Sequence, residues 1–187
     1  MLSAALTIAS TGTLQGTGTI SSDVVFNGSH KPGNCVGTQN ITGNVTYADC
    51  AVIEIEVDNT NWTHDQINIT GSLTIESGSK FKGISLGGPI GDDDNTQIMD
   101  IMTYTGALIM NGSVVTGEDF KFDASYLDTA VLNFRVAHVT ADNTIYMEVV
   151  AVRFNPKSAL AHTDRLTLAL DNINSAGVTG EMATLIT

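Results

Sequence analysis

The sequence predicts an all-β chain folded as a β-solenoid, a stack of short laps each too small to fold alone. Three observations carry that expectation. Apolar and polar residues alternate with period two from the first residues onward. Thr, Ser, Asn and Gly supply the polar share, a mixture that suits strands joined by tight turns. A loosely repeated lap returns roughly every 20 residues, the signature of units that bury their apolar face on their neighbours.

Leu6-Thr7-Ile8, residues 52–57 (VIEIEV), Ile67-Asn68-Ile69 and Leu73-Thr74-Ile75 each place apolar side chains on one face. Strands are therefore expected around Leu6, Leu14/Ile20, Val24, Ile41/Val45, Ile53, Ile67/Leu73 and Phe81/Ile84. They define a solenoid segment over 1–90, each lap adding a strand about 4.8 Å above the last. Within the opening lap Leu14, Ile20 and Val24 are expected to point inward, with glycine at the sharp corners. The start, MLSAALTIAS, lacks a basic region and has a short apolar run, so it reads as a strand rather than a signal peptide.

The texture changes after Gly91. GDDDN is a polar loop, and the longer strands expected over 98–104, 108–115, 131–139 and 144–153 suggest a more antiparallel β cap spanning 91–154. TADNT separates the last two as a hairpin turn. Asn155-Pro156 breaks the pattern. Leu160, Leu166, Leu168, Leu170 and Ile173 then recur at roughly helical spacing, with Gly177 as C-cap, so 155–187 is expected to hold a short linker helix.

Charge narrows the function classes. Twenty acidic residues against eight basic ones give a net charge of −12. That sign repels phosphate backbones, so no nucleic-acid partner is expected. No apolar run is long enough for a membrane-spanning helix. Cys35 and Cys50 are a candidate disulfide or two unpaired thiols; spacing alone leaves both open.

No catalytic constellation emerges, and none is expected, nor any cofactor. A Gly-x-Ser-x-Gly elbow is absent. His30, His64, His138 and His162 are scattered and read as surface or turn residues, and a thiol–imidazole pair of Cys35 and His30 lacks a third group. Asp92, Asp93 and Asp94 are the calcium candidates, but Thr103 stands where an EF-hand loop needs its glutamate, so the run reads as a solvated loop. A carbohydrate-active β-helix enzyme needs clustered Asp, Lys or Arg on one sheet face. Lys31, Lys80, Lys82, Lys121 and Lys157 are dispersed along the chain, as are Arg135, Arg153 and Arg165. Asn-x-Ser/Thr sequons at Asn27, Asn40, Asn44, Asn61, Asn68 and Asn111 are glycosylation candidates. Trp62, in a polar loop, reads as an aromatic lid over a corner of the solenoid.

Several stretches together resemble one family. GTLQGTGTISSDVVFNGSHKPGNCVGTQNITGNVTY, through Leu14, Gly16, Gly18, Ile20, Pro32, Gly33, Asn34, Gly37 and 41–44, is similar to the C-terminal part of bacterial autotransporter passengers. DQINITGSLTI resembles a further lap of that family, IMDIMTYTGALIMNGSVV and NTIYMEVV resemble its autochaperone-like strands, and TDRLTLALDNI resembles its linker helix. Cys35 stands where the family usually has serine, and the Gly-Asp-Ser-Gly motif of its proteases is missing. The resemblance implies a right-handed parallel β-helix, non-enzymatic, secreted or at the cell surface, and outer-membrane-associated if a barrel follows. It implies a stalk for adhesion or display, whose cap assists folding during secretion and whose partner is a host or cell-surface glycan or protein. An alternative is a self-assembling extracellular filament or surface-layer subunit, associating through open solenoid ends.

Overall fold

A computed structural model describes residues 5–58, 60–86, 97–115, 120–122, 132–139 and 142–151. Among them the regular structure is β, without an α-helix. The strands, in chain order, begin with β1 (Leu6–Ile8), β2 (Thr13–Gly16), β3 (Gly18–Ile20), β4 (Val24–Phe26), β5 (Ser29–Pro32) and β6 (Thr38–Ile41). They continue with β7 (Val45–Tyr47), β8 (Val52–Asp58), β9 (Thr63–His64), β10 (Gln66–Ile69), β11 (Leu73–Ile75) and β12 (Lys80–Leu86). The last are β13 (Gln97–Tyr104), β14 (Leu108–Met110), β15 (Ser113–Val114), β16 (Phe120–Phe122), β17 (Leu132–Val139) and β18 (Thr144–Ala151).

The chain visits three sheets in rotation. The first runs β1-β4-β7-β11-β14-β15, the second β2-β5-β8-β12, and the third β3-β6-β10-β13-β18-β17-β16. Every pairing from β1 to β14 along these orders is parallel, while β9 adds antiparallel to β8. Strands of three or four residues suffice because each lap changes direction before the next sheet.

Registers stack like on like. In the first sheet Leu6, Val24, Val45, Leu73 and Leu108 form one inward column, and Ile8, Phe26, Tyr47, Ile75 and Met110 another. The third sheet aligns Ile20, Ile41, Ile69 and Tyr104. These columns converge on one core, in which Phe26, Ile53, Ile67, Leu73 and Ile101 are fully buried. Alternation fixes which face is inward, because a one-residue slip would turn every column outward. Partners in the first sheet lie 18, 21, 28 and 35 residues apart going up the stack. The expected lap of about 20 residues thus fits the lower laps only. The upper laps lengthen as they take in the seven-residue strands β8 and β12, the added strand β9 and the eight-residue β13.

Corners are closed by side chains reaching up one lap. Asp23 accepts the Asn44 backbone N–H, Asn44 that of Ser72, and Ser72 Oγ that of Ala107. The column between these residues is glycine for steric reasons. A Cβ at Gly71 would stand 2.3 Å from the Gly43 carbonyl oxygen, and one at Gly106 2.5 Å from Ser72 Oγ.

At the upper end the pairing turns antiparallel. β13 takes β18, β18 takes β17 and β17 takes β16. The single strand expected over 108–115 is instead two, β14 and β15, folded back at Asn111 (φ 50°) and Gly112 (φ 75°). An Asn-Gly pair with both φ positive is the sequence that a tight hairpin prefers, and its two-residue turn outcompetes continued alternation. The expected helix within 155–187 and the run Asp92, Asp93, Asp94 lie outside the described residues.

Candidate functional site

Among the described residues the interior holds a polar cluster of three side chains, and alternation puts it there. In β5 the sequence Ser29-His30-Lys31-Pro32 points His30 inward, between Leu14 below and Ile53 above. In β6 Gln39 occupies the column of Gly18 and Ile67, and in β7 Tyr47 sits between Phe26 and Ile75. Each sheet contributes one residue, and the three meet. The Tyr47 hydroxyl lies 2.7 Å from His30 Nδ1, and His30 Nε2 lies 2.5 Å from Gln39 Oε1. Gln39 Nε2 donates to the Gly16 carbonyl at 3.1 Å.

That last bond sets the direction of the rest. With the Gln39 amide nitrogen donating, its oxygen accepts, so His30 must carry its proton on Nε2. Nδ1 is then the acceptor of the Tyr47 O–H, and every polar atom of the chain is satisfied by a neutral imidazole. Phe26 stacks on the His30 ring at 4.3 Å between centroids and on Tyr47 at 5.0 Å. Burial lowers the His30 pKa from 6.5 to about 4, against the raising effect of its bond to Gln39, and pushes the Tyr47 phenol well above its ordinary value. Both therefore stay neutral near pH 7. The expectation that His30 is a surface or turn residue is overturned: it is fully buried, because its strand alternates with Ser29 and Lys31 outward.

A second buried group ties two sheets together. Asp65, 1 % exposed, precedes β10. Its Oδ1 accepts the Gly37 N–H and its Oδ2 the Glu56 N–H, both at 2.8 Å. Desolvation raises its pKa to about 6, opposed by the two backbone donors; the nearby Glu56 charge adds a smaller upward push. The Pro32-to-Gly37 corner is shaped around this carboxylate. Gly33 has φ 91°, and a Cβ there would lie 2.9 Å from Asp65 Oδ1.

The outer face of the second sheet gathers charges that are far apart in sequence. Glu54, 7 % exposed at its side chain, takes Lys31 Nζ on Oε1 at 3.1 Å and Lys82 Nζ on Oε2 at 3.2 Å. Lys80 is exposed two residues before Lys82 in the same strand. The expectation of dispersed lysines is therefore corrected for Lys31, Lys80 and Lys82. Lys31, Glu54 and Lys82 are separated by 23 and 28 residues, the offsets between successive strands of this sheet, which stacks them on one face. Lys121, Lys157, Arg135, Arg153 and Arg165 lie where no side chain is described.

The remaining candidates do not assemble. Cys35 and Cys50 are both exposed and unbridged. His64 approaches Asp100 through Nε2, 3.2 Å from its carbonyl and 3.3 Å from Oδ1, while its Nδ1 has no partner among the described residues. Gln66 Nε2 donates to the same carboxylate at 2.9 Å. The side chains of His138 and His162 lie outside the described ones. Among the described residues no group of three or more His, Cys, Asp or Glu is placed to hold a metal ion. Trp62 packs half-buried against the core.

The sequon asparagines hold structural bonds. Asn68 Nδ2 donates to Asn40 Oδ1 at 3.1 Å, and Thr103 Oγ1 donates to Asn68 Oδ1 at 2.9 Å. Asn111 Oδ1 accepts the Ser77 N–H at 2.8 Å, Asn61 Nδ2 donates to Asp58, and Asn27 Nδ2 reaches the Ile8 carbonyl at 3.4 Å. No protein family, no curated protein and no solved structure matches the chain.

Proposed function

We propose that the chain is a non-enzymatic, secreted or cell-surface β-helix module, a stalk of the kind autotransporter passengers use for adhesion or display. In this reading β1 to β14 form a right-handed parallel β-helix over 1–90 and a little beyond. The antiparallel strands within 91–154 cap it and template its folding during secretion. The observation that carries the reading is the rotation of consecutive strands through three sheets with parallel, in-column register. Its polar interior supports a structural role: the His30–Gln39–Tyr47 chain is buried and internally satisfied, leaving no group free to act on a substrate. The carbohydrate-active reading is the weaker one. At Lys31, Glu54 and Lys82 two ammonium groups share one carboxylate, which is not the cluster of carboxylates that such chemistry needs.

Protease shaving of intact source cells, with the chain in its native context, tests the location. Loss of the chain while cytoplasmic markers survive is the expected result, and complete protection would sink the reading.

A further inference from the structure

The tripeptide Asn-Gly-Ser occurs twice, at 27–29 and at 111–113, and the fold treats the two copies differently. Asparagine before glycine is the pair in which the next backbone nitrogen most readily attacks the side-chain amide, because glycine puts no side chain beside the attacking atom. The ring formed has five members, so the chain itself holds nucleophile and carbonyl carbon close. With the tripeptide shared, the fold decides how Asn27 and Asn111 differ in reactivity.

Asn27 is clamped. Its N–H donates to the Ile8 carbonyl at 2.9 Å, its Nδ2 reaches the same oxygen at 3.4 Å, and the Ser29 N–H donates to the Gly12 carbonyl at 2.9 Å. Gly28 is buried, and a Cβ on it would stand 2.2 Å from the Gly12 oxygen. The lap above adds two more bonds, from the Ala48 N–H to the Phe26 carbonyl and from the Val52 N–H to the Gly28 carbonyl. Ring closure requires the Asn27–Gly28 peptide to rotate, and laps on both sides hold it still.

Asn111 is presented. It and Gly112 are the two turn residues of the β14–β15 hairpin, both exposed, with φ 50° and 75°. Nothing lies within 4 Å of the Cβ that Gly112 lacks. The arm beyond the turn, β15, is two residues long, so opening the hairpin breaks few bonds. Asn111 Oδ1 accepts the Ser77 N–H at 2.8 Å. A donor at that oxygen stabilises the negative charge that develops on it as a nitrogen adds to Cγ.

We propose that Asn111 is a self-modification site, deamidating through attack by the Gly112 nitrogen, while Asn27 is protected. The Gly112 amide proton passes to a solvent base and the nitrogen bonds to Asn111 Cγ. The Cγ–Nδ2 bond then breaks, and ammonia leaves with a proton from solvent. Water opens the resulting succinimide. Addition at Cγ gives aspartate in an unaltered main chain, and addition at the backbone carbonyl carbon gives isoaspartate, whose main chain is one methylene longer. Either product adds a negative charge to the turn. The longer one does not fit a two-residue turn and releases the pairing of Ile109 with Val114. This rests on the hairpin and is independent of the display role.

The 187-residue chain, made in a host that does not glycosylate, is aged in mildly alkaline buffer with and without denaturing urea. Peptide mapping by mass spectrometry follows the amide-to-acid exchange at both asparagines, and enzymatic methylation of isoaspartate identifies the ring-derived product. The readout is each site's rate in the folded protein divided by its rate in urea. That ratio should be on the order of tenfold higher at Asn111 than at Asn27, a modest difference in local opening. Hydrogen exchange reads the hairpin through the Val115 N–H, which donates to the Leu108 carbonyl. Its protection should persist in Asn111→Asp and fall in the isoaspartate fraction. Equal ratios, a higher ratio at Asn27, or an Asn111 that stays an amide while the unfolded chain reacts would overturn the proposal. Unchanged Val115 protection in the isoaspartate fraction would overturn the effect on the hairpin.

Discussion

The middle laps and the first lap share one architecture and differ in how far each position is determined. In the middle laps every inward residue has a neighbour above and below, corners are stapled lap to lap, and glycines sit where a methyl group would strike backbone. Among the described residues, the same positions on the first lap have a neighbour on one side only. Gly16 and Gly18 have φ near 120°, yet nothing lies within 4 Å of the Cβ each lacks. The fold's rules are thus local to a pair of laps, and the constraint at any residue depends on whether both neighbours exist.

The contrast between glycines gives the largest expected effect. Gly71→Ala drives a methyl group to within 2.3 Å of the Gly43 oxygen and 2.6 Å of its carbonyl carbon, which backbone movement alone can relieve. A loss of about 3 kcal/mol or more is expected, the upper range for overpacking. Gly18→Ala meets only conformational strain and should lose about 1 kcal/mol. Urea denaturation of both variants measures the difference. Equal losses would mean that the laps are not packed backbone to backbone at that corner.

Two buried groups in the middle laps titrate against each other. His30 has its pKa lowered to about 4, so its contribution is intact above 6.5 and is lost as pH falls toward 4. Asp65 is raised to about 6, so its charge destabilises the fold above that pH and the penalty is relieved as pH falls toward 3.8. Between pH 6.5 and 5 the first effect amounts to a loss of about 1.5 kcal/mol and the second to a gain of about 1 kcal/mol. The wild type should therefore show little net slope from this pair. Relative to it, Asp65→Asn should lose stability on acidification and His30→Gln should gain it. Denaturation at a series of pH values reads the slopes, and parallel curves for all three proteins would refute the compensation.

Much of the fold was legible because a lap writes its own alternation. Leu6-Thr7-Ile8, 52–57 and Leu73-Thr74-Ile75 announce strands at the places where strands stand. What alternation does not encode is register between laps, and the site depends on register. His30 is recognisable as an inward residue only once Thr13-Leu14-Gln15-Gly16 is laid against Ser29-His30-Lys31-Pro32, sixteen residues apart. The same holds for Lys31, Glu54 and Lys82, whose meeting needs the lap lengths of 23 and 28 residues in the second sheet. Asp65 left no signal of its own, since its partners are backbone N–H groups that any residue supplies. The sequons were legible, and alternation gives two of them a second possible cause. In a half-buried strand, Asn and Thr both face outward around an inward apolar residue, so Asn40-Ile41-Thr42 and Asn68-Ile69-Thr70 satisfy the glycosylation pattern through alternation alone.

That overlap gives the smallest and most discriminating effect. Asn68 bridges Asn40 below and Thr103 above, whereas Thr70 is exposed. Asn68→Ala and Thr70→Ala both destroy the sequon, but only the first removes the ladder. In protein from a host that does not glycosylate, Asn68→Ala should lose about 1 kcal/mol, the worth of a pair of solvent-facing hydrogen bonds, and Thr70→Ala should lose next to nothing. Thermal denaturation of the two variants measures it. If Thr70→Ala loses as much as Asn68→Ala, the asparagine ladder contributes nothing and the residue's place there must answer to the glycan instead.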